Sequence, residues 1–125
     1  MNKQEPLLLI EDDPSVREAL MHLLQSEGFE VVTAACSSEA VLACTEQKIS
    51  VVLLDLNLGE EDGWEVFSLL KDLREDLPII VVSAHASRLA NSNSNRASGV
   101  LEKPFEVMAL LALLQQTRTA ISLPA

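Results

Sequence analysis

A chain of 125 residues, 48% of them apolar, is long enough for one domain with a sizeable core. A formal net charge of −10 argues against direct nucleic-acid binding, because phosphates require Lys and Arg patches, and it favours a divalent cation or a basic partner. The absence of a long apolar run, of a signal-peptide pattern and of a zinc-type cysteine spacing predicts a cytoplasmic protein without membrane insertion.

Five short apolar runs predict buried β-strands. In chain order they are Leu7–Ile10, Glu30–Ala34, Val51–Asp55, Pro78–Val82 and Val100–Glu102. Apolar residues at helical spacing predict helices that begin at Pro14, at Ser37 or Ser38, after Asp62 and near Phe105. The stretch 84–98 is rich in Asn and Ser, which compete with the helical backbone, so the fourth helix should be short or irregular.

Capping residues indicate where the helices begin and end. Asp13 precedes Pro14 and is the predicted N-cap of the first helix, which Gly28 should end. Asp62, with an acidic residue three positions later, resembles a capping box for the third helix. For the second helix, Ser37 or Ser38 is the expected cap.

The alternation of strands and helices predicts an α/β fold. Five βα units should form a doubly wound parallel five-stranded sheet with the flavodoxin-like strand order 2-1-3-4-5 and helices on both faces. We expect one domain over residues 1–125, with a folded core over about 6–120 and no output domain.

Polar side chains follow the ends of four predicted strands. They are Glu11 and Asp12 after the first, Asp55 after the third, Ser83 after the fourth and Lys103 after the fifth. Because the carboxyl ends of parallel strands lie at one edge of a sheet, these groups should converge there. Clustered carboxylates repel one another unless a cation joins them, and oxygen ligands suit Mg²⁺.

These residues resemble those of a response-regulator receiver domain, and the resemblance extends over almost the whole chain. The motifs that carry it are Ile10-Glu11-Asp12-Asp13-Pro14, Leu53-Leu54-Asp55-Leu56, Asp62-Gly63, Val82-Ser83-Ala84 and Lys103-Pro104-Phe105. Each motif is weak alone, whereas all five in order at this spacing are specific.

The resemblance implies a Mg²⁺ (or Mn²⁺) site beside a phosphoryl acceptor. Asp55 would be the acceptor and a metal ligand. Asp12 would bind the metal directly, Glu11 through water, and Asn57 through its backbone carbonyl. Asp13 would then be only a helix cap.

The resemblance also implies the reaction and the partners. Asp55 would take a phosphoryl group from a histidine kinase or a histidine phosphotransfer protein, while Lys103 and Ser83 bind the phosphoryl oxygens. The Lys103-Pro104 peptide is often cis in this family. The domain would act in signalling and catalyse only its own phosphorylation and dephosphorylation.

Two positions depart from the family pattern. Val100 replaces an aromatic residue whose rotation usually transmits the signal, so the response should instead involve the segment 84–98. Gly59 replaces a proline and should loosen the loop after Asp55. The last helix also carries more apolar residues than one face requires, which favours a homodimer through the fourth helix, the fifth strand and the last helix.

Two other functions were weighed, and one of them remains open. A degenerate receiver could serve only as a phosphorylation-independent binding or dimerisation module, which the substitution at Val100 leaves open. A flavodoxin-like enzyme or a haloacid-type phosphatase is disfavoured, because the phosphatase requires a second aspartate at the position of Asn57.

Overall fold

The computed structural model describes residues 5–84 and 96–122, and in the last helix it describes side chains as far as Thr117. The strands are β1 Leu7–Ile10, β2 Val31–Ala34, β3 Val51–Asp55, β4 Asn57–Leu58, β5 Glu61–Asp62, β6 Ile79–Ser83 and β7 Gly99–Glu102. The helices are α1 Pro14–Ser26, α2 Ser37–Glu46, α3 Gly63–Leu73 and α4 Val107–Ser122. None of the helices in the described ranges is long and apolar enough to cross a membrane.

Five strands form one parallel sheet in the order β2-β1-β3-β6-β7, and this confirms the predicted order. β3 lies at the centre, where Asp55 is paired with Val82 of β6. Ser83, the next residue of β6, is paired with Glu102 of β7. The carboxyl ends of these three strands therefore lie side by side.

Both faces of the sheet are covered, because successive residues of a strand point in opposite directions. One face packs against α1 and α4, and the other packs against α2 and α3. In β3, Val51 and Leu53 contact the first pair of helices, whereas Val52 and Leu54 contact the second. All four side chains are buried, which explains why this strand is an uninterrupted apolar run.

The ends of α1 agree with the capping residues in the sequence. The Asp13 side chain accepts hydrogen bonds from the backbone N–H groups of Ser15 and Val16. At the other end Gly28 has a φ of +94°, the left-handed conformation that commonly ends a helix. Both capping predictions for α1 are confirmed.

For two connecting segments the predictions are not confirmed: one was wrong, and the other falls on residues outside the described ranges. The segment 57–61 after Asp55 was expected to be a loop, but Asn57–Leu58 pairs with Glu61–Asp62 in an antiparallel hairpin outside the main sheet. The weak fourth helix was predicted within 84–98, and residues 85–95 lie outside the described ranges.

Candidate functional site

Asp55 is the last residue of the central strand, and its side chain is only 6% exposed. The backbone N–H of Asn57 donates to Asp55 Oδ1 at 2.8 Å. Lys103 Nζ donates to Asp55 Oδ2 at 2.5 Å. Burying a carboxylate is costly unless it is paired and hydrogen-bonded, and here each oxygen has a donor.

Lys103 reaches Asp55 from the connection that follows β7. Its backbone N–H donates to the carbonyl oxygen of Ser83 at 2.8 Å, which places it at the carboxyl end of the sheet. The Lys103–Pro104 peptide is cis, as the family resemblance implied. The Lys103 ammonium lies 4.0 Å from Glu11 Oε1, and the side chain remains 35% exposed. One cation therefore lies between two carboxyl groups from neighbouring strands.

Glu11 is buried at the end of β1 and touches Asp55. Burial is the main reason that its pKa rises from 4.5 to about 8, and hydrogen bonds with the Asp55 and Asp12 side chains act in the same direction. The backbone N–H of Asp13, which donates to Glu11 Oε2 at 3.1 Å, opposes this rise in pKa. Without a cation, Glu11 therefore holds a proton near neutral pH.

Asp12 is exposed, and its carboxylate lies beside the hairpin that follows β3. A Cβ atom added to Gly59 would be 3.1 Å from Asp12 Oδ2. The two acidic loops of the site therefore meet at this contact. A glycine at position 59 leaves room for the Asp12 carboxylate.

The donor set fits a hard divalent cation. Within residues 5–84 and 96–117, no three acidic, histidine or cysteine side chains form a ready-made metal cage. Glu11, Asp12 and Asp55 nevertheless form a chain of contacts in which a proton on Glu11 relieves the repulsion. Mg²⁺ is usually held by one or two carboxylates and several waters, and it could replace that proton.

The hairpin β4–β5 fixes the backbone that follows Asp55. Gly59 has a φ of +67° and is the first residue of its two-residue turn, where a type II′ turn requires glycine. At the base of the hairpin, Gly63 donates its N–H to the carbonyl oxygen of Leu56 at 3.2 Å. A Cβ on Gly63 would lie 2.4 Å from Leu56 Cα, so no larger residue fits without movement of the backbone.

Glu61 links this hairpin to the start of α2. Its carboxylate accepts a hydrogen bond from the backbone N–H of Ser37 at 2.9 Å and another from the Ser37 hydroxyl. The prediction that Ser37 or Ser38 caps α2 is wrong, because the N-cap is Cys36, whose side chain makes no capping bond. Glu61 supplies the missing acceptor from a position 24 residues away in the chain.

Ser83 and Asn57 occupy the positions next to the acceptor. Ser83 is half-buried at the end of β6, one residue beyond Val82, the partner of Asp55 in the sheet. Asn57 binds Asp55 through its backbone N–H, while its side chain is exposed. Ser83 therefore lies at the strand end next to Asp55, as predicted, while the roles expected for its hydroxyl and for the Asn57 carbonyl oxygen stay predictions.

A cavity of about 560 Å³ opens beside Asp55. Its polar wall includes Glu11, Asp55 and Lys103, and most of the remaining wall is apolar, including Val16 of α1 and Phe105. A group that enters this cavity would meet the Asp55 carboxylate beside a cation.

The sequence identified Glu11 and Lys103 as neighbours of Asp55 but missed Glu61, and it singled out Gly63 only within the Asp62-Gly63 motif, without its role at the base of the hairpin. The turn carried a usable signal, since Gly59-Glu60 has the Gly-X pattern of a type II′ hairpin. The link from Glu61 to Ser37 had no such signal, because it depends on how α2 and α3 pack.

Comparisons with known sequences agree with this geometry. A family model described as the response regulator receiver domain matches residues 7–115. The transcriptional regulatory protein PrrA of Mycobacterium tuberculosis is 35% identical over 109 residues, which make up 85% of this chain and 46% of PrrA. The chain thus spans less than half the length of the curated relatives it matches.

Solved structures share the fold. The response regulator TrrA of Thermotoga maritima, in complex with Mg²⁺-BeF, is 26% identical, has a TM-score of 0.84, and is matched over 91% of this chain and 99% of TrrA. TrrA in complex with the histidine kinase ThkA matches with a TM-score of 0.82 and 26% identity, over 91% of this chain and 98% of the other.

Proposed function

Because the chain belongs to the family of response regulator receiver domains, we propose that Asp55 accepts a phosphoryl group in a reaction that depends on Mg²⁺ or Mn²⁺. Domains of this family are signalling domains rather than classical enzymes. The observation that carries the proposal is the buried Asp55 carboxylate, held between the Lys103 ammonium and the Asn57 N–H with Glu11 in contact.

The reaction would be an in-line transfer to a carboxylate. A lone pair on an Asp55 oxygen forms the new O–P bond, while the bond from phosphorus to the donor breaks and its electron pair leaves with the donor. Lys103, already at Oδ2, is placed to bind an oxygen of the incoming phosphoryl group. The Asn57 N–H continues to orient Oδ1, so catalysis consists of positioning and charge neutralisation.

The metal-binding residues in this proposal are Asp12 and Asp55 directly, Glu11 through water, and Asn57 through its carbonyl oxygen. A divalent cation, when bound, supplies charge to offset the phosphoryl oxygens. Support comes from the raised pKa of Glu11, whose side chain contacts those of Asp55 and Asp12, and from TrrA, a relative whose structure holds Mg²⁺ together with BeF.

The switch would begin at Ser83. Its hydroxyl would bind an oxygen of the phosphoryl group, since it follows the residue paired with Asp55. The Lys103 N–H donates to the Ser83 carbonyl oxygen and so links β6 to the segment after β7. A movement of Ser83 would therefore displace the ends of both strands. The expected responding segment, 84–98, falls largely outside the described residues.

The proposed phosphoryl donor is a histidine kinase or a histidine phosphotransfer protein. TrrA has been solved bound to the histidine kinase ThkA, and this chain shares the TrrA fold. The cavity beside Asp55, with Phe105 and Val16 in its wall, would admit a phosphohistidine side chain.

Cys36 and Cys44 are both free, which agrees with a cytoplasmic location.

A second candidate function is assembly with another copy of the chain. Val100 of β7 and Val107 and Met108 of α4 are 39%, 40% and 72% exposed, and they belong to the face expected to form a homodimer. Val107 is the first residue of α4. Sedimentation with and without a beryllofluoride complex would test for this dimer.

Intact-mass analysis after incubation with Mg²⁺ and acetyl phosphate tests the main proposal. We expect a phosphoryl adduct on the wild type, none on Asp55→Asn, and an undiminished adduct on Asp72→Asn, which removes an exposed carboxylate of α3. An adduct on Asp55→Asn at the wild-type level would refute the assignment. No adduct on the wild type, and no binding of beryllofluoride, would instead support the phosphorylation-independent module.

A further inference from the structure

The β4–β5 hairpin stands outside the main sheet, yet it presents the backbone N–H that holds Asp55 Oδ1. Two strand pairs, Asn57 with Asp62 and Leu58 with Glu61, hold it together. An isolated hairpin of this size has little stability in water. Contacts with the rest of the domain must therefore keep it in place.

Two contacts do so. At its base, Gly63 packs against Leu56, and Asp62 caps α3 by accepting the N–H of Trp64 at 2.9 Å. On its second strand, half-buried Glu61 accepts the N–H and the hydroxyl of Ser37 at the start of α2. The first contact fixes the base of the hairpin, and the second fixes its orientation against α2.

The bond between Glu61 and Ser37 is of a strong kind. A carboxylate that accepts backbone N–H groups at a helix N-terminus also meets the positive end of the helix dipole. The N-cap residue Cys36 supplies no side-chain acceptor, so Glu61 takes that place. Because Glu61 and Asn57 sit on paired strands, a shift of one displaces the other.

We propose that Glu61 is a positioning residue for the acceptor: by binding Ser37, it holds the hairpin so that the Asn57 backbone meets Asp55. This inference rests on the proposed function of Asp55. Loss of the link would misplace the Asn57 N–H, and with it the carbonyl oxygen proposed as a metal ligand. The outcome would be a slower transfer at saturating donor and weaker Mg²⁺ binding.

Three variants separate this role from simple helix capping. Glu61→Ala removes the link, and Glu61→Gln keeps an amide oxygen that can still accept the Ser37 N–H. Glu39→Ala is the matched control, because Glu39 accepts the Ala35 N–H at 2.7 Å at the start of the same helix. Both alanine variants remove a carboxylate from the start of α2, but only one of those carboxylates belongs to the hairpin.

The measurements are the Mg²⁺ affinity, followed by Trp64 fluorescence, and the rate of adduct formation at several acetyl phosphate concentrations. We expect Glu61→Ala to lower the Mg²⁺ affinity and the maximal rate about tenfold, the range typical of residues that orient ligands. The donor concentration at half-maximal rate should stay unchanged. Glu39→Ala should match the wild type, and Glu61→Gln should recover most of the loss.

Three results would overturn the inference while leaving the acceptor role of Asp55 intact, since the wild type is still phosphorylated in each. Glu61→Ala could behave like Glu39→Ala. Glu61→Gln could fail as fully as Glu61→Ala, which would assign the effect to charge rather than to the link. The maximal rate could also fall equally in all variants in proportion to lost thermal stability. A wild type that forms no adduct would refute the proposed function itself.

Discussion

The two loops that meet at Asp55 are held by different kinds of interaction. The loop between β1 and α1 is organised locally: Asp13 caps the helix that follows, and its own N–H donates to Glu11. The β4–β5 hairpin is held from a distance, because Glu61 binds Ser37, which is 24 residues away. A loop of the first kind is encoded in its own sequence, whereas the second depends on how the helices pack.

The largest expected effect concerns Glu11, in the loop between β1 and α1, and the pH dependence of the free energy of unfolding. The pKa of Glu11 is 4.5 ordinarily and about 8 in the folded protein, so the stability that its protonated form provides is present below pH 4.5 and is lost as the pH rises through 8. Each pKa unit is worth about 1.4 kcal/mol. In metal-free buffer, the free energy of unfolding should fall between pH 5 and about pH 9 much less steeply in Glu11→Gln than in the wild type.

Urea unfolding across this pH range measures the difference. Glu30→Gln is the control, since it removes an exposed carboxylate next to β2 at the opposite edge of the sheet. Equal pH slopes in Glu11→Gln and the wild type would contradict the raised pKa.

The next largest effect is expected from a substitution at the base of the β4–β5 hairpin. In Gly63→Ala the new Cβ would lie 2.4 Å from Leu56 Cα, so the backbone after Asp55 must move. We expect a loss of about 3 kcal/mol in the free energy of unfolding, the upper end for overpacking, although alanine is the better helix former. In Gly99→Ala, the control, the nearest atoms are the flexible methyl groups of Leu113 at 3.1 Å.

Chemical denaturation of both variants decides this prediction. If Gly63→Ala lowers the free energy of unfolding no more than Gly99→Ala does, the backbone at the base of the hairpin adjusts to the added methyl group at little cost, and the prediction is wrong.

These two predictions also indicate how far the sequence determines the structure. The alternating faces of β3 and the cap at Asp13 could be predicted, because each is a pattern within a few residues. The role of Glu61 could not, since its bond to Ser37 joins residues 24 positions apart. Gly63 belongs to a recognised motif, but its close packing against Leu56 depends on the path of the hairpin backbone. That Glu11, Asp55 and Lys103 lie together could be predicted because each follows a strand end, which is a local feature, whereas the contacts that hold the hairpin are not local.

A smaller effect tests whether neighbouring acidic residues of the local loop have different roles. Asp12→Ala should weaken Mg²⁺ binding by about a hundredfold, the upper end of the range for residues that orient metal ligands, because it removes a proposed direct ligand. Asp13→Ala should leave Mg²⁺ binding nearly unchanged and should cost about 1 kcal/mol of stability, because the N–H groups of Ser15 and Val16 lose their acceptor. Calorimetric titration with Mg²⁺ and urea unfolding give the two quantities. Equal losses of affinity would show that the two aspartates have been assigned wrongly.

The smallest effect lies at the contact between the two loops, where Gly59 faces Asp12. Gly59 and Gly28 both have positive φ, so replacing either with alanine should cost about 1 kcal/mol of stability. Only at position 59 would the new Cβ meet a functional group, Asp12 Oδ2 at 3.1 Å, whereas nothing lies within 4 Å at position 28. Gly59→Ala should therefore weaken Mg²⁺ binding by about threefold, less than the roughly tenfold loss typical of residues that orient ligands, while Gly28→Ala leaves it unchanged. Titration of Trp64 fluorescence with Mg²⁺ compares the two variants at matched backbone cost. If both variants bind Mg²⁺ equally well, the β4–β5 hairpin does not influence the loop between β1 and α1, and the proximity of Gly59 to Asp12 has no part in shaping the metal site.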